Sequence, residues 1–203
     1  MDLETEFGGI DIYLFDQLLR GRITTRDRVF DAGCGWGRNL VYLFRGGFDV
    51  HAVDPDPDAI AAVRELAGRL APSLPLENFR VEPVERASRP DASATVVISS
   101  AVLHFARDDA EFEAMLAGSW RVLAPGGLFF CRLASSIGFE SRVERIGGAG
   151  RRYRLPDGTS RYLVDEPFLV ARTRSLGGRL LDPIKTTVVQ DQRAMTTWVV
   201  RKD

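Results

Sequence analysis

The chain has 203 residues, a formal net charge of −1 and a hydrophobic fraction of 45%. This length suits one α/β core, and the near-zero charge disfavours nucleic acid as a partner, because phosphate backbones select proteins with a positive field. No apolar run approaches the roughly 20 residues of a membrane span, and the first six residues are acidic, unlike a signal peptide. We therefore expect one cytoplasmic domain over residues 1–203, without a membrane partner. The two cysteines form neither a disulfide framework nor paired metal ligands, so no metal site is predicted.

Apolar, strand-like runs alternate with segments of helical period, which is typical of a mostly parallel sheet with helices on its faces. The predicted helices cover residues 10–20, 38–45, 58–70, 108–123 and 165–176. The predicted strands cover residues 28–31, 49–53, 79–82, 94–99, 128–133, 182–189 and 194–201, with a further hairpin at 151–164. The last two strands are antiparallel, because a parallel crossover needs a dozen or more connecting residues. The pattern predicts a doubly wound mixed α/β sheet, mostly parallel with an antiparallel C-terminal edge hairpin.

A glycine-rich loop follows the first predicted strand and precedes a helix, in the order Asp31-Ala-Gly33-Cys-Gly35-Trp-Gly37. Alternate glycines let the backbone approach a ligand closely and adopt φ values that other residues avoid. Open α/β sheets bind ligands outside the carboxyl ends of their strands, where this loop lies. Asp54 closes the second strand, and a carboxylate there can accept hydrogen bonds from both hydroxyls of a ribose. The loop and Asp54 together predict a ligand that contains a nucleoside.

The glycine spacing distinguishes between two nucleoside cofactors. A dinucleotide fold uses G-x-G-x-x-G, which places a pyrophosphate at the helix N-terminus. Here the third glycine, Gly37, comes one position early, and Arg38 stands where the dinucleotide pattern has glycine. The carboxylate of Asp31 suits an ammonium group and repels a pyrophosphate. The pattern favours S-adenosylmethionine, which carries a ribose and an ammonium group.

These motifs resemble the class I S-adenosylmethionine-dependent methyltransferases over about residues 29–133. The glycine loop and Asp54 are similar to that family's first two motifs, residues 99–105 to the segment after its fourth strand, and residues 123–128 to the turn before its fifth. Residues 13–16 and the Gly37-Arg38-Asn39 continuation resemble its tellurite-resistance branch of small-molecule methyltransferases. The resemblance implies a Rossmann-like fold, with S-adenosylmethionine as cofactor and S-adenosylhomocysteine as product.

The same resemblance implies which residues hold the cofactor. The backbone of the glycine loop contacts the methionine part in this family, and the carbonyl of Ser99 accepts from the ammonium group. Pro83 replaces the aspartate that many members place after the third strand, so we expect adenine to meet the Val84 amide and the carboxylate of Glu85 or Glu82. The predicted cofactor-binding residues are Asp31, Gly33, Cys34, Gly35, Gly37, Arg38, Asp54, Pro55, Val84, Glu85 and Ser99.

On the acceptor side, His104 follows the central strand and is either a general base or a residue that shapes the pocket. The segment after the fifth strand is locally basic, which predicts either a site for an anionic small-molecule acceptor or a solvated hairpin face. Its arginines are at positions 142, 145, 151, 152, 154 and 161. We expect an N-terminal lid helix within residues 1–25 and a hairpin insertion at 138–164 to cover the site. Either a monomer or a homodimer is compatible with the sequence.

Two alternatives remain open at the level of sequence. One is a nicotinamide-dependent oxidoreductase, which the glycine spacing disfavours. The other is a module that binds S-adenosylmethionine without catalysis. A pocket plugged by Tyr13, Phe15 or Trp36 would favour the second alternative, whereas an open pocket would favour catalysis.

Overall fold

Parallel strands form one half of the main sheet and antiparallel strands complete it. The computed structural model describes residues 2–148 and 150–203. The strands are β1 (Arg28–Ala32), β2 (Asp49–Asp54), β3 (Phe79–Val81), β4 (Ala94–Ser100), β5 (Leu123–Ser135), β6 (Glu144–Arg145), β7 (Arg152–Arg154), β8 (Ser160–Tyr162), β9 (Gly178–Leu180), β10 (Lys185–Val189) and β11 (Arg193–Lys202). The helices are α1 (Leu3–Phe7), α2 (Ile12–Leu19), α3 (Val41–Arg45), α4 (Pro57–Leu70), α5 (Asp109–Val122) and α6 (Glu166–Ser175).

The main sheet has the order β10-β11-β5-β4-β1-β2-β3, and β9 pairs with β11 beside β10. Strands β1 to β5 are parallel, while β11 runs antiparallel to β5, β9 and β10. This confirms the mixed, Rossmann-like sheet. The chain leaves β1 toward β2 on one side and returns to β4 on the other. The carboxyl ends of β1 and β4 therefore form the crevice in which such sheets bind ligands.

The core lies on both faces of the sheet because the central strands are buried on both sides. Val29 packs among the apolar residues of one face, and the next residue, Phe30, packs among those of the other. Helix α4 covers the face behind the glycine loop. It begins at Pro57 with the side chain of Asp56 capping the amide of Asp58, and it buries Ile60 and Val63.

The elements differ from the sequence prediction in four places. Strand β5 begins at Leu123 rather than at residue 128, because Leu123 already pairs with Ala94 before the ladder shifts register. The N-terminal segment forms two short helices that Gly8 separates, with φ of 59°. Helix α3 begins at Val41 rather than Arg38, because Arg38 and Asn39 make long-range contacts described below. Strands β6 and β9 were not predicted. The predicted hairpin of residues 151–164 is confirmed as β7 and β8, which join β6 in a small antiparallel sheet.

Two residues within the predicted lid segments, Met1 of 1–25 and Ala149 of 138–164, lie outside the described residues. In the part of the chain that the structure describes, no helix combines the length and apolar character required to cross a bilayer. The small sheet packs on the end of β5 through Leu155 and Leu163, which contact Ala134. This places the predicted hairpin insertion next to the ligand edge of the main sheet.

Candidate functional site

The three glycines of the loop serve different purposes. All have positive φ, with values of 95° at Gly33, 50° at Gly35 and 77° at Gly37. A Cβ at Gly33 would lie 2.6 Å from a methyl group of Val102, and one at Gly37 would lie 3.1 Å from a methyl group of Val63. A Cβ at Gly35 would meet nothing within 4 Å. The outer two glycines therefore permit close packing of the loop, while Gly35 presents bare backbone to open space.

The amides of the loop donate hydrogen bonds within the protein. Those of Gly33 and Cys34 donate to the carbonyl of Val53 at 2.9 and 3.0 Å, and that of Gly35 donates to Asp54 Oδ2 at 2.8 Å. Asp54 Oδ1 accepts from the amide of Asp56 at 3.0 Å. Since a carboxylate has about four lone-pair sites, Asp54 retains acceptor capacity. The amides of Gly33, Cys34 and Gly35 therefore already have acceptors within the protein.

Asp31 lies beneath the loop with only 1% of its surface exposed. Neither of its carboxylate oxygens has a hydrogen-bond partner among the residues that the structure describes. Burial is the main cause that raises the pKa of Asp31 to about 7; the charge of Asp54 raises it further, while Arg38 opposes the rise. A buried carboxylate without partners is costly, and a cationic group nearby would relieve that cost.

A cavity of about 720 Å³ opens above the loop at the carboxyl ends of the strands. Eight of the predicted cofactor-binding residues line it, namely Gly33, Cys34, Gly35, Arg38, Asp54, Pro55, Val84 and Glu85. Asp31, Gly37 and Ser99 are not part of its wall. Burial and the charges of Asp31 and Asp54 raise the pKa of the Cys34 thiol well above its usual range, so this side chain is inert. The cavity thus gathers most of the predicted site.

Glu82 and Glu85, the two carboxylates predicted as contacts for adenine, have different surroundings. Both oxygens of Glu82 bind Ser88, one accepting from its amide and the other from its hydroxyl, each at 2.7 Å. The side chain of Glu85 lines the cavity instead, between Val84 and Arg86. This arrangement leaves Glu85 as the carboxylate that faces a ligand.

Several residues that line the larger cavity were not predicted from the sequence. Ser100 ends β4, and Ala101, Val102 and Phe105 come within five residues after it, so the rule that strand ends form the site could have identified them. Ala101 has φ of 64°, a left-handed conformation that is uncommon for non-glycine residues. Other residues that were not predicted come from the segment after β3 and from α5, where the sequence pattern gave no signal; these include Arg86, Glu111 and Met115.

The aromatic side chains that could have plugged the cavity do not do so. Trp36 is at its rim with 68% of its surface exposed. Tyr13 donates or accepts a hydrogen bond with Thr187 at 2.7 Å, and neither Tyr13 nor Phe15 belongs to the wall. The cavity is open to a ligand.

A second, smaller cavity of about 290 Å³ adjoins the first, with Arg38 and Ala101 in the walls of both. His104 lines this second cavity and is buried. Its Nδ1 accepts from the amide of Ala134 at 3.1 Å, which leaves the proton on Nε2. Burial, followed by the charges of Arg161, Arg132 and Arg193, lowers the pKa of His104 to about 3. Such an imidazole stays neutral and is better suited to donate a hydrogen bond than to abstract a proton. The role of His104 as a general base stays a prediction, and its surroundings do not favour it.

A buried carboxylate organises the wall between the cavities. The side chain of Asp11 is fully buried, and its Oδ2 accepts from Arg132 at 2.9 Å and lies 3.8 Å from Arg38. Arg38 also donates to Ser100 Oγ at 3.0 Å, while Asn39 Oδ1 accepts from the Asp11 amide at 2.9 Å. The N-terminal segment is thereby fastened to the site.

Most arginines of the predicted basic segment have other partners. Arg151 pairs with Asp165 at 2.8 Å, Arg142 pairs with Asp191 at 3.2 Å, and Arg152 donates to the carbonyl of Ala106. Arg161 is the member of the segment that lines a cavity, together with Arg193 from outside it.

The fold and the cavity define a nucleoside-binding α/β domain of the Rossmann-like type. A family model described as a methyltransferase domain matches residues 30–131, half of the chain. The chain therefore belongs to the methyltransferase-domain family, within the class I S-adenosylmethionine-dependent methyltransferases.

Individual relatives agree with this family. A ubiquinone biosynthesis O-methyltransferase from Methylocella silvestris is 33% identical over 103 residues, which are 51% of this chain and 38% of that protein. The matches to the curated relatives cover less than half of those proteins' lengths.

Solved structures share the fold over nearly the whole chain. The 1,6-didemethyltoxoflavin-N1-methyltransferase from Burkholderia thailandensis, solved with 1,6-didemethyltoxoflavin and S-adenosylhomocysteine, has a TM-score of 0.70 and 20% identity, covering 100% of this chain and 82% of that one. The [4+2]-cyclase SpnF has a TM-score of 0.69 and 16% identity, covering 94% of this chain and 80% of that one. The fold therefore occurs with more than one chemistry.

Proposed function

We propose that this protein transfers a methyl group from S-adenosylmethionine to a small anionic molecule. The observation that carries the proposal is the open cavity above Gly35, which Asp54 lines and which lies over the loop that buries the carboxylate of Asp31. Carboxylates and accessible backbone in this arrangement are complementary to a cofactor that carries an ammonium group, a ribose and an adenine. The finer placement in the tellurite-resistance branch is part of the proposal.

The residues present fit that cofactor. The orphaned carboxylate of Asp31 is the complement of an ammonium group, and the free acceptor sites of Asp54 suit the hydroxyls of a ribose. The bare backbone at Gly35 allows close approach. Val84 and Glu85 line the part of the cavity proposed for adenine. When bound, S-adenosylmethionine supplies a methyl group made electrophilic by the sulfonium charge.

The protein's own contribution is alignment and the exclusion of water. Phe105 and Met115 give the cavity apolar wall, while neutral His104 has an Nε2–H donor available in the adjoining cavity. We propose that the N-terminal segment 1–25 and the insertion 138–164 cover the acceptor. The ion pair of Asp11 with Arg132 and the packing of Leu155 on Ala134 support this role, since both segments are anchored at the ligand edge.

The alternatives receive less support. A dinucleotide needs free amides at the loop for its pyrophosphate. Here the amides of Gly33, Cys34 and Gly35 already have acceptors, and two carboxylates lie beneath them. A purely binding module is disfavoured because the cavity is open and continues into a second cavity.

Calorimetric titration with S-adenosylhomocysteine tests the proposal. Asp54→Ala should weaken binding by about 1.5 to 3 kcal/mol, the range for hydrogen bonds to a charged group. Asp56→Ala is the matched control, since Asp56 caps α4 and does not line the cavity, and it should bind as the wild type does. A nicotinamide dinucleotide should give no heat. Equal binding by wild type and Asp54→Ala, or tight dinucleotide binding, would refute the assignment.

A further inference from the structure

The second cavity has a strongly positive wall. Four arginines line it, Arg38, Arg132, Arg161 and Arg193, against the single carboxylate of Asp157. They come from the loop after β1, from β5, from β8 and from β11. The fold thus brings together guanidinium groups that are widely separated in sequence.

Two carboxylates offset part of this positive charge and leave the remainder uncompensated: Asp11 pairs with Arg132 and lies 3.8 Å from Arg38, while Asp157 interacts electrostatically with Arg161 and Arg193. Among the residues that the structure describes, neither Arg161 nor Arg193 forms an ion pair with a carboxylate within 4 Å. Arg161 donates to the carbonyl of Ser160 and stacks on the ring of Phe105, with 4.9 Å between the guanidinium carbon and the ring centroid. Arg132 uses Nη1 for Asp11, while its buried Nε has no hydrogen-bond partner among the described residues. Arg161 and Arg193 therefore retain donors for an anion.

The remaining wall suits the hydrocarbon part of a small acid. Ala134, Leu155, Val189 and Met195 contribute apolar surface. His104 adds a neutral N–H donor, because its Nδ1 is occupied by the Ala134 amide. Arginine, one neutral donor and apolar walls form the combination that recognises an organic carboxylate rather than a hydrated inorganic ion.

We propose that the second cavity binds the methyl acceptor by its carboxylate, and that the acceptor is a monocyclic organic acid held between Arg161 and Arg193. That the bound molecule is a methyl acceptor rests on the proposed function. The two cavities share Arg38 and Ala101, so the ring of such an acid extends from its carboxylate toward the cofactor cavity. The volume of about 290 Å³ limits the acceptor to about one ring.

The test uses matched acids and amides with the S-adenosylhomocysteine complex of the full chain. Benzoate, 4-hydroxybenzoate and 3,4-dihydroxybenzoate are each titrated against the corresponding carboxamide by calorimetry, with phenyl phosphate as a further oxyanion. At least one acid should bind about tenfold or more tightly than its amide, as charge-assisted hydrogen bonds require. The double variant Arg161→Gln/Arg193→Gln should lose that preference. Arg154→Gln is the control, since Arg154 is exposed on β7 outside the cavity.

Preference for the acid in wild type and Arg154→Gln, lost in the double variant, supports the proposal. Three results would overturn it. The first is equal binding of acids and amides, and the second is no binding of any acid at about 10 mM, a concentration near the weakest affinities of interest. The third is binding of phenyl phosphate while no carboxylate binds. Titration of the wild type with S-adenosylhomocysteine alone separates this result from the proposed function. If S-adenosylhomocysteine does not bind, the proposed cofactor is wrong. If it binds but no acid is preferred over its amide, only the carboxylate site is wrong.

Discussion

Replacing Asp31 by asparagine should change how the stability of the cofactor-free protein depends on pH. Burial raises the pKa of this carboxyl from 3.8 to about 7 in the folded chain. Below pH 3.8 the group is protonated in both the folded and the unfolded state, so ionisation costs the fold nothing. Between pH 3.8 and about 7 the unfolded chain ionises while the folded chain stays protonated, and stability falls as pH rises.

The size of this loss follows from the shift. A difference of about three pKa units corresponds to about 4 kcal/mol, reached at about pH 7 and constant above it. The asparagine side chain does not titrate. The free energy of unfolding of the variant, relative to that of the wild type, should therefore rise by about this amount between about pH 4 and about pH 8. The unpartnered amide costs about 1 to 3 kcal/mol, but this cost is the same at every pH. The pH-dependent part is therefore the diagnostic quantity.

Urea denaturation of both proteins across this pH range measures the effect. Asp56→Asn serves as control because Asp56 is exposed, and its profile should parallel that of the wild type. If the wild type and Asp31→Asn gave parallel profiles, the carboxyl would be ionised throughout and the reasoning about its burial would be wrong.

The same carboxyl predicts that S-adenosylhomocysteine binds up to about tenfold more tightly at about pH 8 than at about pH 6, because ionised Asp31 attracts the ammonium group; calorimetry of Asp31→Asn should show no such rise, and a flat wild-type profile would contradict the contact. Gly35→Ala should weaken S-adenosylhomocysteine binding at a modest cost in stability of about 1 to 2 kcal/mol for a left-handed alanine, whereas Gly33→Ala should unfold more readily, since its methyl group would lie 2.6 Å from a valine methyl; thermal melts that rank the two variants in the opposite order would refute this. Asp11→Ala should cost about 3 to 5 kcal/mol in urea denaturation because it leaves the Arg132 guanidinium unpaired, and Asp11→Ala/Arg132→Met should recover part of that loss; additive losses would show that the pair does not interact.

The glycine loop and Asp54 could be predicted because their geometry is local. A strand, a tight turn and a helix involve contiguous residues, and the carboxyl ends of neighbouring parallel strands lie at one edge of the sheet. The start of α3 could not be predicted in the same way. Its helical period extends back to Arg38, but Arg38 and Asn39 are held by Ser100 and Asp11, and tertiary contacts outweighed local propensity.

The sequence by itself determined the parallel strands and the helices between them, the antiparallel edge and the class of cofactor, because each of these follows from short spacings and alternation. Only the tertiary structure decided the second cavity, whose arginines lie on four different elements between Arg38 and Arg193. It also decided the protonation of Asp31 and the tautomer of His104. Burial and hydrogen-bond partners set both properties, and the residues that cause burial come from distant parts of the chain.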